Sequence, residues 1–276
     1  MYVDPRVAHA RAKIQLSERA IDPVSVVAPV CRTIQRGLQD ILDRGMSGRA
    51  MHRHLHGPVV SALSRLGVHA WIDEDDSDVY LRAAKVICDA THGLQGLMFT
   101  CGIKADRGTV RVQTWFTITP HAIARCLQRN GAMKLVEIIG ELNIATGIAD
   151  RMLVLSLDAG WRQALVPTPQ GVFVGEIDRD QGLVMRTYLR PRDCGWGSRW
   201  LRLLDALPPL TPDGAVFDMD EFRKRLSRWL DENTTTLAAR FPFMQRPWEP
   251  ADDPSDAVWS AAREAAGHEP TGPEAA

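Results

Sequence analysis

The stretch that decides the fold runs from Arg111 to Gly131 and reads RVQTWFTITPHAIARCLQRNG. In its first half Val110, Val112, Thr114, Phe116 and Ile118 alternate with Arg111, Gln113, Trp115 and Thr117. A period of two with many β-branched and aromatic side chains predicts a half-buried strand. Thr119 and Pro120 then signal a helix start, a threonine cap followed by a proline whose missing N–H is no loss at the first helical position. Ile123, Cys126 and Leu127 follow at core spacing, and Gly131 is the stop. At about 100° per residue, His121, Arg125 and Arg129 form one polar stripe roughly opposite the apolar one. They are placed to line solvent or a cleft. A histidine in the first turn feels the positive end of the helix dipole, which favours neutral imidazole, a competent general base. Guanidiniums one and two turns along can hold a phosphate.

Upstream, residues 1–67 read as a helical part. Val27, Val30, Cys31, Ile34, Leu38, Ile41 and Leu42 make a continuous stripe after the start signals Asp22, Pro23 and Ser25, and it ends near Gly45. This helix faces core or a partner. His52, His54 and His56 follow. On a strand they would share a face and could be metal candidates. On a helix only His52 and His56 do, and no acid or cysteine completes a ligand set. Pro58 is expected to break that helix, and Gly67 to end the next.

Residues 68–243 are expected to be an α+β domain. Val68–Ile72 reads as a strand before the acidic turn Asp73–Asp78. Val79–Ala90 fits helix or strand. Gln95–Lys104 is a strand joined through Asp106-Arg107-Gly108 to the central one, giving a meander. A second helix over Met133–Ile144 and a strand beginning at Met152, Val154 and Leu155 come next. Ala164–Val166, Val172–Ile177 and Leu183–Leu189 follow as strands. In the last, alternation puts Thr187 on the apolar face of Leu183, Met185 and Leu189, and Arg186 and Tyr188 on the other. Trp196, Arg199, Trp200 and Arg202 can stack on bases and contact phosphates, or cap a sheet edge. Asp218 and Glu221 open a C-terminal helix with Phe222, Leu226, Trp229 and Leu230 inward. Residues 244–276 read as a flexible acidic Pro/Ala-rich tail. The fold class is therefore α+β: a helical N-terminal part, a mostly antiparallel sheet with two helices inserted, a C-terminal helix and a disordered tail.

The 276 residues are 45% hydrophobic and 24% charged, with a formal charge of −1. No global field draws the chain to nucleic acid or membrane. Cys31, Cys88, Cys101, Cys126 and Cys194 show no Cys-x-x-Cys pairing, as expected of reduced thiols in a cytoplasmic protein. No signal peptide or membrane span is expected. Phosphate-binding loops, dinucleotide fingerprints, nucleophile elbows and His-Glu-x-x-His are absent, so no cofactor is implied.

The order strand, Thr-Pro-His-Ala-x-x-Arg-x-x-x-Arg helix, second helix and antiparallel sheet ending Arg-Thr-Tyr resembles the small metal-independent ribonuclease toxins of the barnase–EndoU–colicin–RelE class. The resemblance covers residues 109–190. It implies RNA cleavage with His121 and Arg125 from the helix and Arg186 and Tyr188 from the late strand as catalytic groups. Arg129 and Thr187 would contact substrate, with Trp196 and Arg199 beyond the match as further base and phosphate contacts. The rival expectation is a non-catalytic interaction or adaptor protein, binding another protein through the N-terminal helix or the tail.

Overall fold

The computed structural model describes residues 3–74, 78–103, 109–158, 163–178 and 182–190, with the isolated residues 228 and 232. Trp196, Arg199, the helix expected after Asp218 and the tail lie outside them, as do the centres of the turns at 75–77, 104–108 and 179–181.

Four helices come first: α1 (Pro5–Arg19), α2 (Pro23–Asp43), α3 (Gly48–His54) and α4 (Val60–Arg65). Asp4 caps α1 by accepting from the Arg6 and Val7 amides, and Asp22 caps α2 by accepting from that of Val24. Pro58 does not break the chain's helical course. Leu55–Val59 widen into a single π turn between α3 and α4. Such a turn absorbs a residue whose ring and missing N–H do not fit the α ladder.

The strands are β1 (His69–Glu74), β2 (Val79–Asp89), β3 (Gly93–Gly102), β4 (Arg111–Ile118), β5 (Gln163–Thr168), β6 (Gly171–Asp178) and β7 (Gly182–Leu189). They form one sheet in the order β1-β2-β3-β4-β7-β6-β5. Each half is an antiparallel meander, and the halves meet at a parallel seam where Phe116, Thr117 and Ile118 lie beside Leu183, Val184 and Met185. Val79–Ala90 resolves as strand, because its alternation feeds both faces. Leu81, Ala83 and Ile87 enter one core and Ala84 the other.

Between the halves come α5 (Pro120–Asn130), a 3₁₀ turn (Leu135–Ile138) and α6 (Ile139–Asp158). The strand expected to begin at Met152 is instead the last part of α6. Leu142, Ala145, Ile148, Ala149 and Met152 are all buried, a helical spacing that carries the element past Ile144.

The helical N-terminal stretch has no core of its own. Val30, Ile34, Leu55 and Leu63 from α2 to α4 cover one face of the sheet, over Leu81, Phe99 and Cys101. On the other face, Ala8, Ala12 and Leu16 of α1 join α5 and α6 over Met98, Phe116, Phe173 and Met185. The linker between α1 and α2 is pinned where it passes β2 by the Ile21 amide, which donates to the Cys88 carbonyl at 2.8 Å.

Both strands of the seam are bulged. Gly96 pairs with Phe116 and Leu97 with Thr114, leaving Trp115 unpaired against β3. Val174 pairs with Thr187 and Gly175 with Met185, leaving Arg186 unpaired against β6. A bulge adds twist and shifts which face later residues occupy. Trp115 and Phe116 are therefore both buried in the same core, over Gly96, where a Cβ would fall 1.8 Å from Trp115 Nε1. In β7 the shift overturns the expected alternation: Tyr188, not Thr187, joins Leu183 and Met185 in the core.

Candidate functional site

The helix start at the strand–helix joint is fixed from β7. The Thr119 hydroxyl accepts from the Ala122 amide at 3.2 Å and donates to the Met185 carbonyl at 3.0 Å, while the Thr119 amide donates to the same carbonyl at 3.1 Å. The threonine therefore caps α5 and ties it to the seam. Helix α1 lies along one flank of α5 and buries Ala124 together with its own Ala8 and Ala12. Small side chains let the two helices approach closely. Gln15 of α1 secures the far end. Its amide donates to the Met133 carbonyl at 3.0 Å and accepts from the Leu135 amide at 2.8 Å.

This packing sets His9 of α1 beside His121 of α5. The ring centroids are 6.5 Å apart, with planes inclined at 53°. Both side chains are exposed, and Arg125, one turn beyond His121, is half-buried with its guanidinium donating to Gln128 Oε1 at 2.8 Å. His121 is held below the ordinary histidine pKa, first by partial burial, then by the Arg125 charge, then by His9. It is thereby biased toward the neutral imidazole that accepts a proton.

The two helices are rich in basic side chains. Helices α1 and α5 carry Arg6, Arg11, Lys13, Arg19, Arg125 and Arg129 against the single carboxylate Glu18. Arg6, His9 and Lys13 fall at i, i+3 and i+7, so a cationic stripe flanks the imidazole on α1 as Arg125 does on α5. In a chain of formal charge −1 this is a local concentration.

The remaining expected residues are placed elsewhere. Asn130, nine residues after His121, is on the opposite side of α5, and there its amide nitrogen donates to the Tyr188 hydroxyl and to Cys126 Sγ, each at 3.4 Å. Tyr188 is 0% exposed, and its hydroxyl donates to Glu141 Oε2 at 3.0 Å. Its ring meets Phe173 edge-on at 4.8 Å. Burial pushes the Tyr188 phenol well above its ordinary pKa, and the neighbouring Cys126 and Glu141 add to this. Burial likewise raises the Cys126 thiol, followed by Glu141. Tyr188 thus sits in a sealed polar network beneath α5, across the helix from His121.

Arg186, on its bulge, is exposed and forms an ion pair with Glu176. Thr187 is half-buried. Arg129 is also half-buried, and its carbonyl accepts from the Arg190 guanidinium. Of the three neighbouring histidines, His54 turns to Asp40 on α2 at 3.8 Å. Among the described residues no three His, Cys, Asp or Glu side chains are grouped to hold a metal, and no helix is long and apolar enough to cross a membrane. Sequence reasoning missed His9, because its nearness to His121 comes from tertiary packing. No protein-family model, curated protein or solved structure matches the chain.

Proposed function

We propose that the α1–α5 face binds RNA and that His121 acts there as general base in metal-independent cleavage of the phosphodiester backbone. The observation that carries this reading is the meeting of His121, His9 and Arg125, with Arg6 and Lys13 on the same stripe of α1 as His9. His121 takes the proton from a ribose 2′-hydroxyl, and the resulting oxyanion attacks the adjacent phosphorus. Arg125 stabilises the charge that builds on the phosphoryl oxygens. Arg6 and Lys13 bind neighbouring phosphates as point charges. The likeness to ribonuclease toxins is kept for His121 and Arg125. Tyr188 has a structural role in this reading, because its hydroxyl is committed to Glu141 in the core. Arg186 contributes only if substrate displaces Glu176. Cys31, Cys88, Cys101 and Cys126 are free thiols, which suits a reducing compartment such as the cytoplasm.

The test is incubation of the full chain and of His121→Ala with cellular RNA in EDTA. Wild type degrades the RNA and the variant does not, with unchanged thermal unfolding. Intact RNA with wild type overturns the reading, and so does equal cleavage by both proteins.

One observation favours a second reading, a surface for another protein. Ile14 of α1 is 55% exposed, and Val136 and Ile139 are 64% and 49% exposed on the segment that Gln15 ties to α1. Exposed large apolar side chains on neighbouring elements offer contact surface to a partner. Under this reading RNA stays intact and I14D abolishes capture of the partner.

A further inference from the structure

We infer that His9 is the general acid of the same site, the group that protonates the departing 5′-oxygen when RNA is cleaved. This rests on the reading of the α1–α5 face as an RNA-cleaving site.

Phosphodiester cleavage by a 2′-hydroxyl needs two proton transfers at different atoms. The O2′–P bond forms as the P–O5′ bond breaks. The base receives the 2′ proton, and an acid must deliver one to O5′, since an unprotonated ribose alkoxide is a poor leaving group. The products are a 2′,3′-cyclic phosphate and a free 5′-hydroxyl. Protons balance: one imidazole ends protonated and the other neutral, and water exchange resets both. One histidine cannot serve both atoms at once, because the attacking and leaving oxygens lie roughly in line on opposite sides of the phosphorus.

The geometry supplies the second group. His9 belongs to a different helix from His121 and faces it across a gap of 6.5 Å between ring centroids. The two rings are inclined at 53° and not stacked, and both side chains are exposed, so each imidazole can approach an oxygen of the same phosphodiester from its own helix. Arg6 and Lys13 stand on the same stripe of α1, one turn to either side of His9. A phosphate drawn to them is drawn to His9. Neither imidazole has a carboxylate partner among the described hydrogen bonds and ion pairs, in contrast to His92, which contacts Asp89 at 3.0 Å. Because the nucleophile is the 2′-hydroxyl, the site would act on RNA and leave DNA intact.

The experiment compares the full chain with His9→Ala and His9→Arg on two substrates. One is a ribodinucleotide, whose leaving group needs a proton. The other is uridine 3′-(4-nitrophenyl phosphate), whose nitrophenolate departs without one. With both variants, dinucleotide cleavage is expected to fall about 100-fold or more, while aryl ester cleavage stays within a few-fold of wild type. That second rate also reports an intact fold. His9→Arg keeps a cation but cannot give up its proton at working pH. Dinucleotide cleavage near the wild-type rate in either variant overturns the proposal, the arginine case reducing His9 to a point charge. Equal losses on both substrates also overturn it, in favour of a binding role. If wild type cleaves neither substrate, the RNA-cleaving reading fails and this inference with it, whereas an active wild type with indifferent His9 variants removes the inference alone.

Discussion

The hydroxyl of Tyr188 donates a 3.0 Å hydrogen bond to Glu141 Oε2, and both residues are buried beneath α5. Among the described residues, that oxygen also accepts from the Gln170 amide, at 3.4 Å. Tyr188→Phe therefore leaves a buried carboxylate short of its best partner, at a cost of about 1–3 kcal/mol. Urea unfolding is expected to show that loss. RNA cleavage by the folded variant should match wild type, since the phenol lies across α5 from His121. Lost cleavage at unchanged stability would return Tyr188 to the chemistry.

The phenol of Tyr188 occupies the space that a side chain at Gly171 would need. A Cβ there would sit 2.4 Å from the Leu189 carbonyl oxygen and 2.6 Å from the Tyr188 hydroxyl. Gly171→Ala must push β6 from β7 or displace the ring, so a loss of about 1–3 kcal/mol is expected. Thermal or urea unfolding checks it, and an unchanged midpoint would mean that the ring moves freely.

Thr119 both caps α5 and holds it to β7. Thr119→Val preserves shape but removes the cap and the bond to the Met185 carbonyl. A loss of about 1–2 kcal/mol is expected. Faster amide exchange should be confined to the first turn of α5. Uniformly faster exchange along the helix would point to a wider defect.

The pKa of His121 is depressed in the folded chain, by burial first and then by Arg125 and His9. The unfolded chain thus takes up a proton at higher pH than the folded one. This contribution to stability is intact above the ordinary histidine value of about 6.5 and is lost as pH falls through the lower folded value. Arg125→Ala removes one of the facing cations. Proton NMR should show the His121 titration moving up toward the ordinary value, with weaker acid destabilisation. A titration that does not move would assign the shift to burial and His9 without Arg125.

Much of this fold is legible in the sequence because its signals are local. Thr119, Pro120 and Gly131 bound α5 where expected, and the pairing of β3 with β4 follows from alternation and turn residues, whereas β2 fits helix as well as strand until both sheet faces are covered. The errors arise where tertiary structure changes the count. The bulge at Arg186 reverses the parity of β7 and sends Tyr188 inward, and no local residue type announces it. The last third of α6 has the apolar density of a buried strand, and only the continued spacing through Ile148 and Met152 betrays a helix. At the site, the His121–Arg125 stripe is visible in sequence. His9 is not, because its approach depends on α1 and α5 packing at a distance set by Ala8, Ala12 and Ala124.

The parallel seam has a consequence for how the chain is made. The first meander can form from neighbouring segments, but β4 gains its second neighbour only after α5, α6 and two further strands have been synthesised. Until β7 docks, β4 is an open edge beside the large apolar side chains Trp115, Phe116 and Ile118. Unpaired edges of that kind recruit other chains. The nascent protein thus passes through an interval of self-association hazard that ends when Leu183, Val184 and Met185 reach the seam.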